Sequence, residues 1–467
     1  MRLHARKTTA ALATAALLVP VLAAPGAYAS HTTKPARDQV TLLWFMRING
    51  QENPWERAEV AGFQKLNPGI KINLVLAPNP NGGFDTKFNQ LHQAGTTPDI
   101  WSHLGQDGFA DYFHRGLLLN LKPLIQSSGY SFGSTPTNLV NTYAKPDGGI
   151  YGIPSITLGS YLYYNKDIFD AYNAAHPSAK LAYPPVNWDD KTWTYAKMLD
   201  MAKKMNGMSI KTSSGTSKAW GFVDTQFPYM PFAWQAGSEM FNQSGSYATG
   251  TPSKINLTDP KTVKMVQSIA DEFNVSKLSP PYSKVQGIQN TGAEPFQFGD
   301  IAMGITGGWG FRSFKDVKFH WAAAAIPWSA ANTDVLFTDP YMVFKGTKHP
   351  KEAMQFIKYL TNSDSMASYI KGVGFTPSNP GFLGSWYSQY SKITGMPIKD
   401  LTNLVAGARK YGKESPNHLI VNFSAIHNFM KPNCIEPAFF GHRTAAAALS
   451  ACVAPIDAIL QQNSSTQ

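Results

Sequence analysis

The order of strand and helix patterns constrains the fold of this chain more than any other sequence feature. The compact apolar segment 40–45 predicts a strand, Pro opens a predicted helix over 54–66, and the alternating segment 70–76 predicts a second strand. A helix pattern near 84–94 and a strand pattern at 99–101 follow. Alternating strands and helices indicate an α/β fold with mainly parallel sheets.

Further elements are predicted along the chain in the same way, and some segments carry no clear pattern. The predicted elements are strands at 151–154 and 161–165, a helix starting near Asp167 and a helix over 193–205. Residues 211–218 are polar and predict a loop, 380–400 are hard to assign, and the tail from Gln461 predicts disorder.

The length of 467 residues predicts two or three domains, or two large lobes. Hydrophobic residues make up 43% and charged residues 15% of the chain, a balance typical of globular proteins. Aromatic residues reach 12%, which favours stacking surfaces, although a large core also uses aromatic side chains.

The first 29 residues have the pattern of a secretory signal peptide. Arg2, Arg6 and Lys7 form a positive end, an apolar centre follows, and Ala27-Tyr28-Ala29 fits a cleavage site before Ser30. No Cys stands immediately after that site, and no later segment has 18 unbroken apolar residues. We therefore expect an exported protein, periplasmic or associated with the cell surface, without a transmembrane segment in its mature chain.

Cysteine content and net charge limit the kinds of cross-link, metal site and partner that the chain is expected to have. In an oxidising compartment the pair Cys434 and Cys452 predicts a disulfide, with two buried thiols as the alternative. Two sulfurs without His at ligand spacing make a metal site unexpected, and no cofactor is expected. The net charge is +11, or +8 without the signal peptide, and it is thinly spread. We therefore expect no nucleic-acid partner.

Five stretches, in order along 40–380, resemble the extracellular solute-binding proteins of ABC importers, in the sugar-binding family that includes maltose-binding protein. They include Trp44-Phe45, Gly95-Thr96-Thr97-Pro98-Asp99-Ile100-Trp101, Tyr151-Gly152-Ile153-Pro154 with Tyr164-Asn165-Lys166-Asp167, Phe298-Gly299-Asp300-Ile301-Ala302-Met303, and Gly374-Phe375-Thr376-Pro377. The region after 380 matches this family poorly.

The resemblance implies a periplasmic-binding-protein fold of two α/β lobes with a ligand cleft between them. Its expected lobes are 30–154 with 305–340, and 155–304 with 341–467. The expected crossing segments lie near 155–160, 304–309 and 338–341. The implied function is capture of a carbohydrate, an oligosaccharide by preference, and its delivery to the membrane permease of an ABC importer. The implied protein is a monomer without catalytic activity, which closes by hinge motion.

Candidate ligand-binding residues lie at predicted strand ends and crossings, because sugars pack their C–H faces on aromatic rings and bind polar groups with their hydroxyls. The candidates in the first half of the chain are Trp44, Arg47, Asn49, Ser102, His103, Gln106 and Thr157. The resemblance to the family is the reason for predicting Ser102, His103 and Gln106 as ligand contacts. Trp44 is predicted either to contact the ligand or to lie in the core of the sheet.

Candidates in the second half include the densest aromatic segment and the later crossings. They are Tyr229, Trp234, Gln235, Gly307, Trp309, Asp339 and Phe375. The two Gly before Trp309 permit close approach of the backbone to a ligand. Asp339 is predicted either to accept hydrogen bonds from a ligand or to cap a turn before Pro340. If all candidates form one site, Trp44, His103, Trp234 and Trp309 must converge on one groove.

Two other functions remain open from the sequence. An exported polysaccharide-acting enzyme requires paired carboxylates, and Asp189-Asp190 is the one tight acidic pair of its region, with capping of the next helix as its alternative. A sugar-binding receptor that is not coupled to transport would share the same fold and cleft.

Overall fold

Two β-sheets with their covering helices organise this chain. The computed structural model describes residues 39–47, 54–77, 83–102, 108–212, 215–225, 231–241 and 245–465. The predicted signal peptide lies outside these residues. In chain order the strands are β1 (Val40–Arg47), β2 (Ile70–Ala77), β3 (Ile100–Ser102), β4 (Ile153–Leu158), β5 (Ser160–Asn165), β6 (Ser209–Thr212), β7 (Gly215–Lys218), β8 (Trp220–Asp224), β9 (Ile301–Gly307), β10 (Trp321–Ala324), β11 (Val335–Val343) and β12 (Lys413–Glu414).

Helices follow most strands and cover the sheets. They are α1 (Pro54–Leu66), α2 (Gly83–Gln93), α3 (Phe109–His114), α4 (Lys122–Ser128), α5 (Thr137–Asn141), α6 (Lys166–Ala175), α7 (Tyr195–Met205), α8 (Pro231–Gln235), α9 (Ser246–Thr249), α10 (Pro260–Asn274), α11 (Tyr282–Gln289), α12 (Gly310–Ser313), α13 (Pro350–Leu360), α14 (Ser363–Gly372), α15 (Gly384–Thr394), α16 (Ile398–Tyr411), α17 (Pro416–Leu419), α18 (Phe423–Met430), α19 (Glu436–Phe439), α20 (Ala445–Ser450) and α21 (Val453–Ser465).

The first sheet has the order β12-β11-β3-β1-β2, with β4 paired to β11. Strands β1, β2 and β3 are parallel, as the alternating pattern predicts, so their carboxyl ends meet at one edge. Helices α1 and α13 cover this sheet, and the rings of Trp44 and Phe356 meet edge to face at 5.0 Å. The predicted strand and helix over 40–45 and 54–66 are therefore confirmed.

The second sheet has the order β10-β5-β9-β8 and is mixed. Strand β5 runs antiparallel to both β9 and β10, and β8 runs parallel to β9. The expectation of mainly parallel sheets is therefore wrong for this half. Residues 211–218, predicted as a loop, contribute instead to the antiparallel pair β6 and β7.

The chain passes from the first sheet to the second at Gly159, between the end of β4 and the start of β5. Gly159 lies within the segment 155–160 that the resemblance proposes as the first crossing. A β-carbon on Gly159 would lie 2.6 Å from Cβ of Ala408. The first crossing therefore packs tightly against α16, and Gly is the residue that fits there.

The strand pairings correct the other predicted lobe boundaries. Strand β10 pairs with β5, so the chain returns to the first sheet between Ala324 and Val335 rather than at 304–309. After β11, helix α13 packs on the first sheet, so the expected crossing at 338–341 comes too early. Because β12 pairs with β11, the segment 341–467 does not belong to one lobe alone.

Helices α15 to α21 fill the region after 380 that the sequence left unassigned. Cys434 and Cys452 are joined by a disulfide with a Cα–Cα distance of 5.8 Å, the pairing that the sequence favours. Among the described residues, one helical stretch, Ala445–Gln462, is long and apolar enough to cross a membrane by length and composition alone. Its Leu449, Ile456 and Leu460 are fully buried in the core of the second sheet.

Candidate functional site

An apolar cluster forms where the chain passes between the two sheets. It consists of buried Leu158, Trp234, Val335 and Phe337, with Tyr247, Trp309 and Phe375 packed against them and half-buried. We call these seven residues the crossing cluster. The ring of Trp309 lies 5.6 Å from that of Phe337. Three of the predicted site residues, Trp234, Trp309 and Phe375, are thus brought together.

Trp309 is held in place by the backbone beside the first crossing. Strand β9 ends at Gly307, and the amide of Gly308 donates a hydrogen bond to the carbonyl of Gly159 at 2.6 Å. The ring of Trp309 folds back over Gly307, where a β-carbon would lie only 2.2 Å from the ring. Gly307 is therefore required for the position of this indole rather than available as a polar contact.

A carboxylate that the sequence did not single out anchors the same indole. Nε1 of Trp309 donates to Oε1 of Glu294 at 2.7 Å, and Oγ1 of Thr225 donates to Oε2 of Glu294 at 3.2 Å. Burial raises the pKa of Glu294, and these donors oppose the rise. No sequence pattern marks Glu294, because its role depends on the tertiary contact with Trp309.

A pocket of about 300 Å³ lies beside the crossing cluster. Its walls come from both halves of the molecule: α5 on the first sheet, Trp234 and Tyr247 on the second, and the start of β11 with β12 as the floor. It is lined by Asn138, Leu139, Thr142, Trp234, Tyr247, Leu336, Gly412, Lys413, Glu414 and Leu419. A molecule in this pocket would touch both halves at once.

An ion pair borders the pocket and joins the two halves. Nζ of Lys413, on β12, lies 2.6 Å from Oε1 of Glu239 and 5.3 Å from the centre of the Trp234 ring. Oε2 of Glu239 accepts a hydrogen bond from Nε1 of Trp234 at 3.0 Å. Trp234 is only 2% exposed, so Lys413 and the crossing cluster together cover its ring.

Buried charges lie below the pocket floor. Nδ1 of His418 lies 2.6 Å from Oε1 of Glu414, and its Nε2 lies 3.4 Å from Oδ1 of Asp339. Burial raises the pKa of Asp339, while His418 and the positive charge of Arg47 oppose the rise. The structure therefore places Asp339 in a buried ion pair, which corrects its predicted role as a direct acceptor from a ligand and is not the turn cap considered as its alternative.

Thr157 also contributes to the crossings rather than to an open surface. Its hydroxyl lies 2.8 Å from that of Ser378 and 3.3 Å from that of Thr338, and the residue is 1% exposed. Arg409 of α16 donates to the carbonyls of Pro377 and Ser378. These hydrogen bonds tie β4, β11 and the segment after α14 to one another, so we correct the prediction that Thr157 meets a ligand.

Trp44 lies in the core of the first lobe. It is 0% exposed and meets the rings of Trp55 and Phe356. Its side chain points from β1 toward the covering helices, since positions alternate along a strand. The prediction that Trp44 joins Trp234 and Trp309 in one groove is therefore wrong, and the core alternative holds.

The remaining described candidates occupy strand and helix ends. Arg47 and Ser102 stand at the carboxyl ends of β1 and β3, and Ser102 is 2% exposed. Gln235 ends α8 and is 4% exposed, and its side-chain amide nitrogen makes no hydrogen bond within the described part of the chain.

Four candidates, Asn49, His103, Gln106 and Tyr229, lie outside the described residues. The gaps that contain them begin directly after β1, β3 and Thr225. In the described ranges, no group of three or more His, Cys, Asp or Glu is placed to hold a metal ion.

Comparison with known proteins identifies the architecture. A family model described as a bacterial extracellular solute-binding protein matches residues 58–395. A protein of Brucella abortus (strain 2308), named as a binding protein, is 24% identical over 341 residues, which are 71% of this chain and 74% of that one. A maltooligosaccharide ABC transporter solute-binding lipoprotein of Streptococcus pneumoniae (strain R6) is 23% identical over 98% of each chain.

Solved structures show the same fold. The ABC substrate-binding protein of Listeria monocytogenes, solved in complex with cycloalternan, superposes with a TM-score of 0.71 at 21% identity, covering 92% of this chain and all of that one. The two sheets and their crossings are thus the two lobes of a periplasmic sugar-binding protein fold. Because the family model matches well over half of its length, this chain belongs to the bacterial extracellular solute-binding proteins.

Proposed function

We propose that this protein captures a neutral carbohydrate between its lobes and delivers it to the membrane permease of an ABC importer, as an exported protein. The crossing cluster carries the proposal. It places the half-buried rings of Tyr247, Trp309 and Phe375 at the junction of the lobes, next to a pocket with walls from both. A relative of full length is named as a binder of maltooligosaccharides, which agrees with such a ligand.

Sugar recognition accounts for the kinds of residue found at this junction. The C–H faces of a pyranose pack on aromatic rings, and its hydroxyls bind amides, hydroxyls and carboxylates. Trp309 offers an indole face anchored by Glu294. Asn49 follows β1 in the sequence, His103 and Gln106 follow β3, and Tyr229 follows β8 of the second sheet. We retain these four residues, with Arg47, Ser102 and Gln235, as proposed polar or stacking contacts.

A ligand that touches both lobes favours their closed arrangement, because it binds that arrangement better than an open one. Closure then gives the permease a surface by which it distinguishes loaded from empty protein. The chain acts in this scheme as a monomer and needs no cofactor, since binding and hinge motion involve no chemical step.

The acidic pair Asp189-Asp190 does not provide the chemistry of a glycosidase. A hydrogen bond from Tyr411 lowers the pKa of Asp189, and one from Thr192 lowers the pKa of Asp190. A glycosidase needs one carboxyl whose pKa is raised so that it can donate a proton. Both carboxyls are solvent-exposed, and neither caps α7, whose cap is Thr194. We therefore propose that the protein has no hydrolytic activity.

The test is a binding screen with neutral sugars: maltose, maltotriose, maltotetraose and mannobiose. Tryptophan fluorescence and thermal unfolding report binding, because a ligand of the folded state raises the melting temperature. For a sugar that binds, Trp309→Ala should reduce the binding free energy by about 1–3 kcal/mol, which lowers the affinity roughly 5- to 150-fold. Trp328→Phe, a half-buried tryptophan outside the crossing cluster, is the control.

Two results would count against the proposal. If none of these sugars shifts the fluorescence or the melting temperature of the wild-type protein, the proposal that its ligand is a neutral carbohydrate is wrong. If chromatography of the incubated sugar shows shortened products, the protein is an enzyme rather than a binder.

A further inference from the structure

The pocket beside the crossing cluster has the size of a single sugar ring. Its volume of about 300 Å³ lies at the lower limit of small-molecule sites, which span roughly 300–1,000 Å³. Leu139, Leu336 and Leu419 form apolar walls, while Asn138 and Thr142 add polar groups from α5. One ring with both C–H faces and hydroxyls matches this mixture better than a flat aromatic molecule does.

Two polar groups of the lining are not fully satisfied. The Oε2 atom of Glu414 is buried and accepts no hydrogen bond from a described residue. The buried hydroxyl of Tyr247 lies beside the indole N–H of Trp234 and donates to no described residue. Buried polar groups without partners cost free energy, and such groups in a native fold point to a missing partner. Sugar hydroxyls both donate and accept, so one ring can satisfy an acidic oxygen and a phenol together.

The charges around the pocket favour an uncharged ligand. Lys413 is the one cation among the lining residues, and Glu239 holds its Nζ at 2.6 Å. Glu414 also lines the pocket, and its buried Oε2 atom accepts no hydrogen bond from a described residue. An anionic group in the pocket would meet Glu414 and would have to compete with Glu239 for Lys413.

We propose that this pocket is a subsite for one neutral pyranose ring, and that the pairing of Lys413 by Glu239 excludes acidic sugars from it. The inference rests on the proposed function and specifies one position of its ligand. Tyr247 and Glu414 bind hydroxyls of the ring, and the contacts with α5 make the subsite complete only when the lobes are together.

The experiment compares affinities of matched variants by isothermal titration calorimetry. Tyr247→Phe removes one hydroxyl from the pocket, and Tyr411→Phe removes a hydroxyl that binds Asp189 elsewhere. The ligands are the neutral sugars of the screen and a disaccharide in which one glucose is replaced by glucuronate. Tyr247→Phe should weaken neutral-sugar binding roughly 3- to 10-fold, and Tyr411→Phe should not.

Glu239→Gln tests the charge argument. Wild-type protein should bind the glucuronate disaccharide at least about tenfold more weakly than its neutral counterpart, and Glu239→Gln should narrow that gap because Lys413 becomes available. The control is Asp189→Asn, which releases Lys410 outside the pocket.

The outcomes separate the two proposals. Absence of any sugar binding by wild-type protein overturns the proposed function. Sugar binding that Tyr247→Phe and Tyr411→Phe leave equally unchanged overturns the subsite alone. Equal wild-type affinity for neutral and glucuronate disaccharides overturns its selectivity for neutral rings.

Discussion

His418 is the residue on which the buried charges at the crossings depend. It is 0% exposed and lies between the carboxylates of Asp339 on β11 and Glu414 on β12, and the positive charge of Arg47 also acts on Asp339. Burial lowers the pKa of His418, but the two carboxylates outweigh this and raise the pKa to about 10. The imidazolium therefore joins the first sheet to the strand that returns after α16.

Removal of this cation should strongly destabilise the fold. In His418→Gln the two carboxylates stay buried without a positive partner, a change that typically costs about 3–5 kcal/mol. Urea unfolding at pH 7 measures the loss. His320→Gln is the control, because His320 pairs with Asp167 on the surface, where ion pairs contribute at most about 1 kcal/mol.

The same residue predicts a pH dependence of definite sign. The pKa of His418 is higher in the folded protein than its ordinary value of 6.5. Its contribution to stability is therefore complete below about pH 6.5 and is lost as pH rises toward about 10. The free energy of unfolding should fall between pH 7 and 10 more steeply for wild-type protein than for His418→Gln. Equal slopes would show that His418 does not carry this charge.

Among the elements, those with strong local patterns were predictable and those defined by distant contacts were not. The helix over 54–66 and the strand at 70–76 follow from spacing, and the structure has them at Pro54–Leu66 and Ile70–Ala77. The short strand β12 has only two residues, and pairing with β11 alone defines it. The predicted polar loop at 211–218 became part of a hairpin because pairing overrides weak propensity.

Residues of the candidate site also differ in whether the sequence alone could predict their positions. Trp234 and Trp309 are predicted contacts because aromatic rings suit the C–H faces of sugars, and both lie in the crossing cluster. Trp44 was misplaced because a strand of consecutive apolar residues does not reveal which face points to the core. Glu294 and Lys413 were missed because their roles depend on contacts with residues far away in sequence.

The disulfide should stabilise the helices of the last 40 or so residues as a unit. It links Cys434 and Cys452 across a separation of 18 residues, for which chain entropy predicts about 3 kcal/mol. The double substitution of both Cys by Ala should lower the urea midpoint by a corresponding amount. A thiol reductant should produce the same shift in wild-type protein and none in the double variant. A double variant as stable as wild type would show that core packing alone holds these helices.

At the scale of the whole molecule, polar contacts among the described residues join the lobes beyond the crossings. Lys413 pairs with Glu239, Nε2 of His114 lies 3.0 Å from the carbonyl oxygen of Thr249, and the amide of Asn422 donates to Asp111. These three contacts are polar, and the side chains of Lys413 and Glu239 are partly exposed. Contacts of this kind stabilise a closed arrangement only modestly, so a ligand that bridges the lobes can decide the balance between open and closed forms.

We therefore expect a sugar identified in the screen to reduce the radius of gyration measured by small-angle X-ray scattering. At a free concentration 100 times its dissociation constant, it should also add about 2.7 kcal/mol to the free energy of unfolding. Trp309→Ala at the same sugar concentration should show a smaller change in both quantities, since it loses a stacking face at the lobe junction. A sugar that binds wild-type protein tightly without changing the radius would mean that the lobes are already closed, so that binding energy is not used to bring them together.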